Sequence, residues 1–146
     1  PKTLDMTLNE CINDQFDDDI SLYDDTAFSI VTESLYCDKS LFITEKTFKP
    51  ILSMHPFLIL SSPGIHTFLE NFGYQNYNFL FPEISKIDNE PDVYKRSLLI
   101  KDVVDNFSIV DYLEKLPMIK EIAEHNKITC VTTNYKERIE SLLDNL

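Results

Sequence analysis

Residues 27–62 read AFSIVTESLYCDKSLFITEKTFKPILSMHPFLILSS, and the order of patterns within them decides the fold. Residues 27–32 are rich in β-branched and aromatic side chains, the composition of a strand. A loop follows. Thr44 then offers a hydroxyl to the orphan N–H groups of a helix over 44–54. Phe48, Ile51, Leu52 and His55 repeat at helical spacing, so they share one face. Pro50 sits too deep for the first turn if Thr44 is the cap. The helix therefore either starts near Thr47 or is kinked. Residues 55–62 hold the longest apolar run, with 56–61 as strand, and a continuous run of this kind suits a strand covered on both faces of a parallel sheet.

Working outward, Pro63 and Gly64 turn the chain. Residues 65–72 have helical spacing, with Gly73 as a left-handed cap. Residues 74–81 read as a third strand, stopped by Pro82. Strand, helix, strand, helix, strand implies a parallel sheet with crossover helices. The expected fold class is α/β, a Rossmann-like parallel sheet flanked by helices, with a helical C-terminal part. Helical spacing continues over 93–107, 112–125 and 135–143, with Pro117 breaking or kinking the second. Residues 1–26 form an acidic N-terminal segment or connector, and 27–146 the Rossmann-like domain.

The chain has 146 residues, enough for one domain with a core. Its net charge of −12 argues against a nucleic-acid surface, which needs clustered Lys and Arg. That balance leaves room for one local basic pocket. No apolar run is long enough for a membrane helix, and the first residues lack a signal-peptide layout. Cys11, Cys37 and Cys130 are an odd number at wide spacing, which suits free thiols in a reducing, cytoplasmic setting. The start at Pro1 without Met leads us to expect a piece of a longer protein. Only two glycines occur, Gly64 and Gly73, so neither a P-loop nor a dinucleotide fingerprint exists. A nucleotide must then be gripped by side chains and a helix end.

In an open parallel sheet, ligands bind at the carboxyl ends of the strands. Glu33 ends the first strand there, Thr44, Glu45 and Lys46 open the next helix, and residues 61–64 open another. A helix N-terminus attracts phosphate, and Lys46 adds a full positive charge. Glu33 and Glu45 are acceptors suited to sugar or ribose hydroxyls, and Phe42 suits a base or sugar face. The blander reading is a capped helix with a solvated lysine. Asp17 and Asp19 form an Asp-x-Asp, used by some sugar transferases to hold a divalent metal, and equally typical of a solvated loop. His66 is expected on a helix surface, His125 at a helix end, and His55 packed before a strand.

The segment VTESLYCDKSLFITEKTFKPILSMHPFLIL resembles the nucleotide-binding core of the α1,3-fucosyltransferases. It looks closer still to phage and giant-virus sugar-transferase-like proteins. Those carry Thr/Ser-Glu-Lys-Thr-x-Lys-Pro, then His-Pro-Phe, a Pro-Gly turn, a Gly-aromatic pair and a late His-Asn. Here these are residues 44–50, 55–57, 63–64, 73–74 and 125–126. The resemblance implies the donor-binding half of a GT-B glycosyltransferase. Glu33, Glu45 and Lys46 would contact a nucleoside-diphosphate sugar, with Lys46 at the diphosphate. A missing N-terminal domain would supply the acceptor site and the general base. No cofactor or metal is implied. Phe42 stands where the fucosyltransferases have Tyr, and Ser34 where they have Asn, and their upstream basic donor-binding residue has no match. These departures put fucose itself in doubt. The rival expectations are a non-catalytic interaction domain that keeps the fold, and a metal-dependent transferase using Asp17 and Asp19.

Overall fold

The structure, a computed structural model, describes residues 21–34, 41–135 and 137. It is a mixed α/β arrangement in which two parallel strands are surrounded by helices. The elements run α1 (Ser21–Asp24), β1 (Ser29–Thr32), α2 (Glu45–Leu52), β2 (Phe57–Leu60), α3 (Ile65–Asn71), α4 (Ile84–Asn89), α5 (Val93–Asp105), α6 (Ile109–Glu114) and α7 (Leu116–Thr132).

The two strands decided by residues 27–62 pair in parallel, Ser29 opposite Phe57 through Thr32 opposite Leu60, with α2 as the crossover. Phe57, Leu58 and Ile59 are all buried, as a strand covered on both faces requires. Burying each such side chain stabilises by about 1.5–3 kcal/mol. β1 instead alternates, with Val31 buried and Ile30 exposed. The Ser29 and Glu33 amides donate to the Pro56 and Leu60 carbonyls. The alternation of a strand then turns the Ile59 N–H away from β1, where it ends on Nε2 of His66 at 3.2 Å. A side chain thus closes the outer edge of β2. Among the described residues β1 meets no strand on its outer edge.

α2 starts at the Thr44 cap, whose hydroxyl accepts the Lys46 N–H, and it carries Pro50 inside its last turn. Its end has the bonding of a Schellman motif: the Met54 amide donates to Ile51 O and the His55 amide to Pro50 O. Met54 takes the left-handed conformation there, with φ 56°, although it is not glycine. α3 ends the same way. The Gly73 amide donates to Glu70 O and the Tyr74 amide to Leu69 O, with Gly73 at φ 93° as expected for its cap.

The expected third strand over 74–81 is not formed. Asn76 Oδ1 accepts the Asn78 N–H, and Tyr77 O accepts the amides of Leu80 and Phe81, so the chain turns. The apolar side chains that suggested a strand still face inward, Tyr74, Tyr77 and Phe81 all being buried. The pattern over 112–125 divides into α6 and α7, and Pro117 lies in the first turn of α7, where its missing N–H costs nothing. α4 is a helix the sequence reading did not include; Ile84 and Ile87 are its buried positions. The expected helix over 135–143 lies almost wholly outside the described residues.

The core gathers β2 with Ile51, Ile65, Leu69, Ile84, Ile87 and Ile100 and the buried rings of Phe72, Tyr74, Tyr77 and Phe81. α2 packs on both strands and on α7, while α5 packs on β2 and α4. No helix among the described residues is long and apolar enough to cross a membrane.

Candidate functional site

The carboxyl end of β1 and the start of α2 meet through one side chain. Glu33 is 1% exposed and accepts three hydrogen bonds. Its Oε1 takes the Thr44 amide at 3.0 Å and the Thr47 hydroxyl at 2.7 Å, and its Oε2 takes the Thr44 hydroxyl at 2.7 Å. Since the Thr44 O–H is spent on Glu33, an oxygen lone pair of Thr44 faces the Lys46 N–H, 3.3 Å away. The Lys46 amine is exposed and donates to Ser34 Oγ at 3.0 Å. Lys46 is therefore held by its amine to Ser34, just beyond β1, and by its amide to the Thr44 hydroxyl, which is itself bound to Glu33.

The structure thus brings Glu33, Thr44 and Lys46 together, as the spacing suggested. It gives Glu33 a different task from the one expected. A carboxylate filled by three protein donors and shut from solvent is poorly placed to receive a sugar hydroxyl. Glu45 is half-buried in the first turn of α2, and Phe42 stands 38% exposed two residues before the cap. Thr47 and Ser34 were not among the expected site residues. The signal for Thr47 was available: a second threonine one turn into the helix, facing the same strand end as Thr44.

A cleft of about 250 Å³ runs beside this cluster, between β1 and α2. Ser29, Ile30 and Thr32 line one wall and Lys46, Lys49 and Pro50 the other. In a chain of net charge −12 this pair of lysines is a local basic rim. Two ammonium groups on one rim suit an anion by simple charge complementarity.

The second helix start expected to receive a ligand is already filled. Gly64, the cap of α3, has no side chain to offer. Asp88 on α4 supplies one instead. Its Oδ1 accepts the His66 amide at 2.9 Å and His66 Nδ1–H at 3.2 Å, and its Oδ2 accepts the Thr67 amide at 3.0 Å and hydroxyl at 2.7 Å. Burial pushes the Asp88 carboxyl up, but the bonds from His66 and Thr67 outweigh it and hold the pKa at about 2. His66, expected on the surface, is 5% exposed because this dyad needs it inside. The pair looks like a general-base dyad, yet Nε2 of His66 accepts the Ile59 amide and has no lone pair left for a substrate proton.

The other histidines are also structural. His55 is buried before β2; Nε2–H donates to the Thr26 carbonyl at 2.9 Å and Nδ1 accepts from the Ser29 hydroxyl at 2.9 Å. Burial lowers its pKa, against the raising effect of the Thr26 bond. His125 lies within α7, not at its end, and its Nε2 donates to the Gly73 carbonyl at 2.8 Å. Beside it Asn126, wholly buried, accepts the Gln75 amide at 2.7 Å and donates to the Gln75 carbonyl at 2.9 Å. His125 and Asn126 on α7 thus hold the backbone of Gly73 and Gln75, on either side of Tyr74. Asp17 and Asp19 lie outside the described residues, as do Cys11 and Cys37. No family model, curated protein or solved structure matches the chain.

Proposed function

We propose that this chain is the donor-binding, Rossmann-like domain of a GT-B glycosyltransferase that uses a nucleoside-diphosphate sugar. The observation that carries the reading is the placement of Lys46. Its amine is exposed in the first turn of the crossover helix at the carboxyl end of a parallel strand, on the rim of a cleft shared with Lys49. Phosphate oxygens are matched by an ammonium and a helix N-terminus together. In this reading Lys46 stabilises the charge that grows on the leaving diphosphate, and no metal is needed. Glu45 and Phe42 flank the nucleoside or sugar. The acceptor site and general base come from a second, N-terminal domain, and the protein works in the cytoplasm.

Calorimetric titration with uridine and guanosine diphosphates tests this. Lys46→Ala should weaken binding about ten- to a hundredfold, the loss of one charge-assisted contact worth about 1.5–3 kcal/mol. Lys49→Ala should weaken it less. A folded chain that binds neither diphosphate at millimolar concentration overturns the reading. A second reading, a non-catalytic interaction domain that keeps this fold, is favoured by α6, which buries no residue and leaves Ile109, Val110 and Leu113 55%, 61% and 58% exposed. Diphosphate binding discriminates between the two.

A further inference from the structure

We infer that Glu33 is a positioning residue for Lys46 and makes no contact with the donor; the consequence for binding rests on the nucleoside-diphosphate reading above. Three observations carry it. The Glu33 side chain is closed to solvent, so no ligand in the cleft reaches it. Its three donors all belong to the start of α2, two of them to the cap residue Thr44. The bond that orients Lys46 runs through the same atom, since Thr44 Oγ1 donates to Glu33 and accepts from the Lys46 amide.

The physical reason is the direction of a hydroxyl. An isolated threonine cap rotates freely among acceptors, but one that must donate to a fixed carboxylate keeps its lone pairs turned to the helix. Glu33 in turn is fixed by the Thr47 hydroxyl, one turn along α2, and by the pairing of its own amide with Leu60 O. Register between the two strands is thereby passed to the first turn of α2, and from there to the lysine. The opposite end of the same lysine rests on Ser34, the residue after Glu33. A functional carboxylate at a strand end, as the sequence alone suggests, becomes a bracket for a functional ammonium.

The test uses the full chain and two independent readouts. The first is amide exchange at Thr44 and Lys46 in the free protein. Glu33→Gln keeps the volume but turns an NH₂ toward one hydroxyl donor, so protection at both amides should fall about tenfold. The second is affinity for uridine or guanosine diphosphate, expected to fall about tenfold in Glu33→Gln and to fall no further when Glu33→Gln is added to Lys46→Ala. Should Glu33→Gln not fold, Glu33→Asp takes its place, because it keeps the charge and withdraws it by one methylene from Thr44. An unchanged Lys46 amide, or losses that simply add in the double variant, overturns the inference. If the exchange result appears and wild type binds no diphosphate, the bracket stands and the donor reading falls.

Discussion

Asp88→Asn is the substitution whose cost the structure lets us work out most fully. The carboxylate faces four donors, the amides of His66 and Thr67, the His66 ring and the Thr67 hydroxyl. An asparagine accepts through one oxygen only, and its NH₂ must confront donors on the other side. Leaving those buried donors short costs about 1–3 kcal/mol, more when a charge was involved. Proton linkage gives a second route to the figure. A pKa drawn down from 3.8 to about 2 is worth about 2–3 kcal/mol at about 1.4 kcal/mol per pH unit. The two ranges overlap at about 2–3 kcal/mol. The sign follows from the folded pKa lying below the unfolded one. The contribution is complete above about pH 4 and is lost as pH falls through about 2. Urea unfolding of wild type and Asp88→Asn at pH 7, 5, 4 and 3 should show a gap that is constant down to about pH 4 and then narrows. A gap under about 0.5 kcal/mol at pH 7, or one unchanged at pH 3, would refute the trans-cap account.

Other expectations follow from backbone and burial. Gly73→Ala should destabilise by about 1 kcal/mol in thermal unfolding, for its φ of 93° and not for lack of room, since the added methyl carbon would lie 3.7 Å from Thr129 Cγ2. Met54→Gly should raise stability by about 1 kcal/mol, because it relieves a left-handed residue at an exposed helix end. Asn126→Ala should cost about 2–4 kcal/mol in chemical denaturation, having deprived both backbone groups of Gln75 of their partner. For His55 the folded pKa lies below 6.5, so its contribution is intact above about pH 6.5 and declines as pH falls below it. His55→Gln should flatten the stability profile across that window.

The parallel pair and its crossover helix were legible in residues 27–62 because period and punctuation agree there. A β-branched run, a Thr cap and an unbroken apolar run each point the same way. The end of α3 was legible because Gly73 can do what other residues do at a cost. Met54 shows the limit, since the same left-handed bend exists there without glycine to announce it. Residues 74–81 misled because inward-facing Tyr74, Tyr77 and Phe81 resemble a strand, while the backbone of Gln75 pairs with a side chain on α7, Asn126. The site was half legible. Spacing placed Thr44, Glu45 and Lys46 at a helix start beside Glu33. It did not separate a carboxylate that meets a ligand from one that meets two threonines, because that depends on which side of a strand end is closed. Asp88 was invisible for the same reason: its partners lie more than 20 residues away in the chain.

The histidine ring on the Ile59 amide has a consequence for self-association. Indefinite edge-to-edge stacking needs an open strand on both sides of every copy, so that each molecule is both template and addition. Here β2 is stoppered by His66. Among the described residues β1 is the strand whose outer edge meets no other, so two copies joined there would each turn a stoppered β2 outward. Growth of a sheet by edge addition therefore terminates at two molecules.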